Sequence, residues 1–344
     1  MTTTPPTGDD WTEPGVYPVS PGVHRIPLPL PNDGLRAVNV YAVEDGDGVV
    51  LVDSGWAIPV ARELLAGALK ALDCSFSDVH RFLITHVHRD HYTNAIDIRR
   101  DFGTPVGLGL GEQPSFAVMN EPGRPPFAPQ LVGLRLLGAQ ALVEEILTTF
   151  PEHQPAERQE WEEPDEWLVP GPLTLGSGRA LEVVETPGHT RGHVVFYDDA
   201  AGLLFAGDHV LPTITPSIGL EAVISDNPLG DFLGSLAKVR ARADAMLLPA
   251  HGMTTDSVHA RVDQLVAHHG RRLDQTEAAV VAGATTGFEA AGELRWTRRE
   301  TRLEDLDVFN RMLAVGETGA HLDLLAAQGR ITRTLDDGVY RYVA

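Results

Sequence analysis

Short apolar runs cut by Pro, Gly and Asp-Gly steps open the chain and predict strands at 16–19, 23–28, 37–43 and 49–52. At 60–72 the apolar residues change to helical spacing. A strand-like run at 82–84 follows, then a helix over 93–102 ended by Gly103, and a strand at 105–108. Residues 113–119 and 130–150 read as helices, the second carrying Leu131, Leu134, Leu137, Leu142, Ile146 and Leu147 along one stripe. Strands return near Leu173 and at 180–185, 194–198, 203–206 and 246–248, with helices at 229–239 and 258–281. Alternating strands and helices predict an α/β fold, sheets covered by helices.

The last sixty residues change character. Short helices are expected at 288–296, 303–315 and 318–328, then a hairpin of 330–335 and 339–343 turned by Asp336, Asp337 and Gly338. Three helices and a hairpin resemble a winged helix. The expected organisation is a disordered lead-in at 1–15, a body at 16–283 interrupted by a helical insertion at 112–166, and a winged-helix-like module at 284–344. A DNA-reading helix needs basic residues, yet 318–328 has no Arg or Lys. Across 284–344, eight arginines stand against ten acids. The tail therefore reads as a packing or dimerisation appendage, which makes a homodimer an expectation.

Composition narrows the class further. Hydrophobic content of 43% and charged content of 22% are ordinary for a globular chain. A net charge of −21 argues against nucleic-acid partners, which need a basic surface. Eleven of the acids fall in 112–166, against three bases. No apolar run is long enough to span a membrane. The polar, Pro-containing N-terminus lacks the basic start and apolar stretch of a secretion signal, so a cytoplasmic location is expected. Cys74 is the single cysteine, which excludes an intramolecular disulfide and a thiolate zinc cage.

The chemistry is concentrated behind the run at 82–84. His86, His88, Asp90 and His91 crowd into six positions, and neutral imidazoles with carboxylates suit zinc and related divalent ions. In an extended loop, His86 and His88 share a face because side chains alternate. Three more ligand-type residues each follow an apolar strand and sit beside a glycine: His189 after Gly188, Asp208 after Gly207, and His251 before Gly252. Asp53 ends the strand at 49–52. It reads either as a local cap or as an acceptor for a ligand imidazole. His193, four residues past His189, is an ordinary surface histidine or a neighbour of the same site.

Taken as a set, these motifs resemble the metallo-β-lactamase-fold hydrolases, over roughly residues 16–280. The resemblance implies a four-layer αββα sandwich with metals at one edge of two facing sheets. It places His86, His88 and His189 on a first ion, Asp90, His91 and His251 on a second, and Asp208 between them. Asp53 and His193 would stand behind these ligands. Two divalent ions, zinc by default with iron or manganese also fitting the donors, would activate a bridging hydroxide that attacks an acyl carbon while Asp90 orients it and carries a proton. Histidine rather than glutamate at 88 argues against the di-iron redox branch. A complete second set argues against the single-iron dioxygenase branch, and a carboxylate at 208 separates the chain from lactamases with a cysteine there.

The remaining readings are hydrolysis of a thioester, a lactone or a phosphodiester (including a ribonuclease). A thioester is favoured, in resemblance to hydroxyacylglutathione hydrolase and acyl-carrier thioesterases, because the loop at 211–220 is apolar, the insertion is leucine-rich and a tail is appended. A small-molecule acyl substrate is the expected partner. The insertion is expected to roof the site, its leucine face over an acyl chain; padding or an oligomer contact is the alternative.

Overall fold

The computed structural model describes residues 10–31, 33–121, 123–124, 127–150 and 161–344. Four strands open it: β1 (Tyr17–Ser20), β2 (Val23–Pro29), β3 (Ala37–Asp45) and β4 (Gly48–Val52). Helix α1 (Pro59–Ala71), strand β5 (Val79–Ile84), helix α2 (Arg89–Phe102) and strand β6 (Val106–Gly109) follow. Next come the helices α3 (Gln113–Met119), α4 (Ala128–Leu136) and α5 (Gln140–Thr149), then β7 (Glu166–Leu168). The second half holds β8 (Gly171–Thr174), β9 (Ala180–Glu185), β10 (Val194–Asp198), β11 (Leu203–Gly207), α6 (Pro228–Arg240), β12 (Met246–Pro249) and α7 (Val258–Val281). The tail is α8 (Gly287–Glu293), α9 (Val308–Ala327) and a hairpin of β13 (Thr332–Asp336) and β14 (Val339–Val343).

One sheet runs in chain order from β1 to β7, antiparallel as far as β4 and parallel from there. The other is ordered β12-β11-β10-β9-β8, with β11 and β12 parallel. Period-two alternation assigns each strand residue to one of two cores. In β4, Val50 and Val52 face the second sheet together with Phe196 and Phe205, whereas Val49 and Leu51 turn to the layer holding Leu65 and Ile98 of α1 and α2. In β10, Val194 and Phe196 point between the sheets while Val195 and Tyr197 point to α6 and α7. Burying both faces of both sheets requires a helical layer outside each, and the result is the αββα sandwich.

Three expectations are corrected. Helix α2 begins at Arg89, not at residue 93, so Asp90 and His91 occupy its first turn. The single helix expected over 130–150 is two, broken where Gly138 adopts φ 82°, a conformation glycine takes without the Cβ clash. Conversely, the two helices expected over 303–328 are a short 3-10 turn at Leu303–Asp305 and one long helix, α9. Strand β7 was not anticipated; three residues are too few for a periodicity to register. Of the expected lead-in, residues 1–9 lie outside the described residues, and the Trp11 carbonyl accepts from Arg25 at 2.8 Å. Part of the insertion, at 151–160, with Pro122, Pro125 and Pro126, also lies outside them.

The insertion's leucine face does not cover an acyl chain. Leu131, Leu134, Leu137, Leu142 and Ile146 are buried in one cluster with Val315, Leu322 and Leu325 of α9. Leu137 wedges between α8 and α9, where a Cβ on Gly287 or Gly319 would fall 2.6 or 2.7 Å from it. An apolar stripe announces that a face is buried, not what buries it. Replacing Leu137 with Ala is accordingly expected to cost about 2–5 kcal/mol in urea unfolding, whereas Val132→Ala, 55% exposed, stays within ~0.5 kcal/mol. Substrate constants per folded molecule should not move; a chain-length-dependent KM in Leu137→Ala would restore the lid.

Candidate metal centre

Every residue singled out in the sequence is delivered by the C-terminal end of a strand, at one edge of the sandwich. Strand β4 ends at Asp53, β5 leads to His86 and His88, β9 to His189, β11 to Asp208 and β12 to His251. Asp90 and His91 follow on the first turn of α2. The structure brings all seven ligand-type residues together. Two groups of atoms could each hold an ion: His86, His88, His189 and Asp208 in one, Asp90, His91 and His251 in the other. Asp208 faces both, Oδ2 lying 3.4 Å from His189 Nε2 and Oδ1 3.3 Å from His251 Nε2. Asp90 Oδ2 is 3.5 Å from the Nε2 atoms of both His91 and His251.

The orientation of each ring is set from behind. His91 Nδ1 donates to Asp53 Oδ2 at 2.8 Å, and His251 Nδ1 to the Ala37 carbonyl at 2.7 Å. His189 Nδ1 donates to Ser217 O, and His88 Nε2 to Leu220 O, each at 2.8 Å. Thr85 Oγ1 gives its proton to Asp53, which leaves it to accept from His86 Nδ1 at 3.1 Å. A neutral imidazole carries one N–H, so in all five rings the other nitrogen presents a bare lone pair. Those lone pairs converge: His86 Nε2 and His88 Nδ1 are 3.0 Å apart, and His88 Nδ1 and His189 Nε2 are 3.1 Å apart. Such a contact, with no proton between, is repulsive unless a cation sits among the nitrogens. Buried His91 Nε2, His251 Nε2 and Asp208 Oδ1 likewise have no hydrogen-bond partner. The donor set therefore fits a pair of divalent ions.

Asp53 and His193 lie behind the ligands. Asp53 takes φ 60°, a left-handed value uncommon outside glycine, and its carboxylate also accepts from Thr85 N at 2.8 Å. His193 is fully buried and stacks on His86 with ring centroids 5.0 Å apart. Its Nε2 accepts from the Asp208 N–H at 3.1 Å, so Nδ1 carries the proton toward Thr186 Oγ1 at 2.9 Å. His209 is buried with its ring 5.2 Å from Phe232, outside the ligand groups.

Sequence reasoning missed the supports. Glu112, fully buried, accepts from Thr190 Oγ1 at 2.5 Å and from Val87 N at 3.4 Å, tying the two ligand-bearing loops together. Gly192 packs so closely there that a Cβ would meet the Glu112 backbone nitrogen at 2.0 Å. Glu221 accepts from Arg191 N at 2.7 Å. Burial pushes Glu112 up to about 7, and burial, reinforced by Glu112, pushes Glu221 up to about 8. The carbonyls of Ser217 and Leu220 carry no sequence signal at all. Their loop is clamped by Gln130 on Gly219 O and Glu221 O (both 2.9 Å), by Arg261 on Leu211 O and Ile214 O (2.5 and 2.8 Å), and by Arg298 on Thr213 O.

The two groups differ in how they stand toward protons. Burial and the neighbouring rings hold His86 well below the usual imidazole range, and burial brings His189 down to about 4. Burial also opposes charge on His91, but Asp90, Asp53 and Asp208 outweigh it and raise that ring to about 10; His251 is raised in the same sense by Asp208. Without an ion, then, the second group is protonated at neutral pH and the first is not. Zinc uptake by the second group is expected to displace protons and to weaken as pH falls, while uptake by the first changes less. Calorimetry in buffers of different ionisation enthalpy reads the released protons; identical pH dependence for both equivalents would contradict the assignment. Asp53→Asn should lower affinity at the second group by about 10–100-fold.

Comparisons with known proteins agree with this geometry. A metallo-β-lactamase family protein of Thermus thermophilus is 30% identical and superposes with a TM-score of 0.73, over 95% of this chain and 99% of that one. A β-lactamase domain protein from Burkholderia ambifaria is 25% identical with a TM-score of 0.74, over 95% and 94%. The probable metallo-hydrolase YqjP of Bacillus subtilis is 24% identical across 328 residues, 90% of this chain and 92% of its own. An atrochrysone carboxyl ACP thioesterase of Aspergillus novofumigatus is 23% identical over 288 residues, 83% of this chain and 71% of its own. Residues 303–344 match the C-terminal domain described as metallo-beta-lactamase-like. With residues 33–251 matching the family profile itself, the chain belongs to the metallo-β-lactamase superfamily.

Proposed function

We propose that this metallo-hydrolase cleaves acyl thioesters with a pair of divalent ions, zinc by the chemistry of its nitrogen and oxygen donors. The observation that carries the metal assignment is the convergence of five lone pairs whose opposite nitrogens are all committed to acceptors. His86, His88 and His189 would hold one ion, Asp90, His91 and His251 the other, and Asp208 both. When bound, the ions supply Lewis acidity at the acyl oxygen and lower the pKa of water toward neutrality.

The chain's own residues do the rest. Asp90, the most exposed of the carboxylates at 13% side-chain exposure, stands where an entering water can give it a proton. In the overall reaction the acyl carbon gains the water oxygen, the C–S bond breaks, and the thiol leaves with a proton that Asp90 relays. No side-chain nucleophile is required. Cys74 lies in the turn after α1, where burial pushes its thiol up rather than activating it. His193 holds the Asp208 backbone, and Glu112 keeps the loops of His86, His88 and His189 in register.

Support for a thioester comes from relatives named as ACP thioesterases, including those of Aspergillus novofumigatus and Cryptosporiopsis. We read the tail as part of the hydrolase rather than a nucleic-acid reader, because α9 offers Arg311 as its one arginine or lysine, already paired with Glu145. The direct test is metal analysis with a panel of acyl-CoA, glutathione thioester, lactone and phosphodiester substrates. Two equivalents of metal and the highest kcat/KM on a thioester are expected. Asp208→Ala and His86→Ala should lower that kcat/KM by at least about a thousandfold, a loss of ~4 kcal/mol of transition-state stabilisation. A fully active Asp208→Ala enzyme would remove the bridging role.

A further inference from the structure

A cavity of about 170 Å³ lies between the loop residues Thr215 to Ile218 and the tail. Ser217 belongs to both the cavity and the centre, since its carbonyl holds His189 Nδ1 at 2.8 Å. We propose that this cavity receives the thiol-side arm of the substrate, an uncharged chain bearing amide N–H groups, and so selects carrier-type thioesters over those of the anionic tripeptide glutathione. The chemistry rests on the thioesterase reading; the recognition does not.

Size comes first. Pockets that engulf a whole small ligand run from ~300 to 1,000 Å³, so this one takes part of a molecule whose remainder lies elsewhere. The walls come next. Trp296 has its N–H on the Ala291 carbonyl at 3.1 Å and one face under Arg272, 4.3 Å from the ring centroid. With Leu313, Ala314 and Ile218 it makes a surface suited to methylenes. The polar end is an acceptor without a donor. Glu317 lines the cavity, and its carboxylate accepts no hydrogen bond from any described residue.

Glu317 also lies within 4.8 Å of ligand-type atoms of His268 and His269. Arg272, whose charge acts on all three groups, opposes a further cation there. That same guanidinium donates to Arg295 O and Gln275 Oε1 and covers Trp296, so it is not offered to an incoming anion. What the cavity lacks is an N–H or O–H donor on an apolar chain. A carboxylate arriving beside Glu317 would meet like charge. An amide on a chain of methylenes meets both requirements.

The test separates binding from catalysis. N-ethylpantothenamide, neutral and without a thiol, and S-methylglutathione are titrated against the metal-loaded protein while tryptophan fluorescence is followed, with Trp296→Phe as the control for the reporting ring. The pantothenamide is expected to bind and to alter the Trp296 signal, and S-methylglutathione to bind about tenfold more weakly or worse, the size of one charge-assisted hydrogen bond. Glu317→Ala, and Asn310→Trp at the exposed rim, should each weaken the pantothenamide by about tenfold while melting as the wild type does. Equal binding of the two probes, or binding untouched by both substitutions, overturns the proposal. In parallel, one acyl group is presented on N-acetylcysteamine and on glutathione. A lower KM for the first, lost in Glu317→Ala, supports the selection. Hydrolysis of neither, with the binding difference intact, would defeat the thioesterase reading alone.

Discussion

Which nitrogen an imidazole presents is decided by what holds the other one, and that constraint organises this molecule. Five rings must each find an acceptor on the side away from the centre. The acceptors come from far apart: Ala37 at the start of β3, Asp53 after β4, Thr85 after β5, and two carbonyls of an irregular loop. Both sheets must therefore be in register before either ligand group exists. The loop itself has no regular partner, so side chains from α4, α7 and the segment before α9 supply donors to its carbonyls. The insertion and the tail, remote from the chemistry in sequence, are thus joined to it by one hydrogen-bonded step.

Much of the centre was legible because its signal is carried by side chains. His86, His88, Asp90, His91, His189, Asp208 and His251 each follow a strand-like run, and the structure gathers them at one edge. Its supports were not legible, because a carbonyl of Ser217 or Leu220 is the same group in any residue. Glu112 was hidden for a different reason: its partners, Val87 N and Thr190 Oγ1, are neighbours only once the Gly109–Gly111 turn presses on Gly192. Local periodicity placed most strands correctly, since alternation and burial on two faces leave a strong pattern in β3, β4 and β10. It failed at 130–150 and 303–328, where one glycine broke a stripe and a continuous stripe ran through an expected break.

The cover of the insertion by the tail also sets an order of events in synthesis. Leu131, Leu134 and Leu137 leave the ribosome long before α9, which begins at residue 308 and completes their cluster. At translation rates of about 5–20 residues per second, the delay is on the order of ten seconds. During that interval the nascent chain carries an assembled sandwich edge beside an uncovered leucine face, a surface that chaperones and neighbouring chains both recognise. A premature stop within the last forty residues would spare every metal ligand and still leave that face bare. The product would be lost to aggregation or proteolysis before its chemistry mattered.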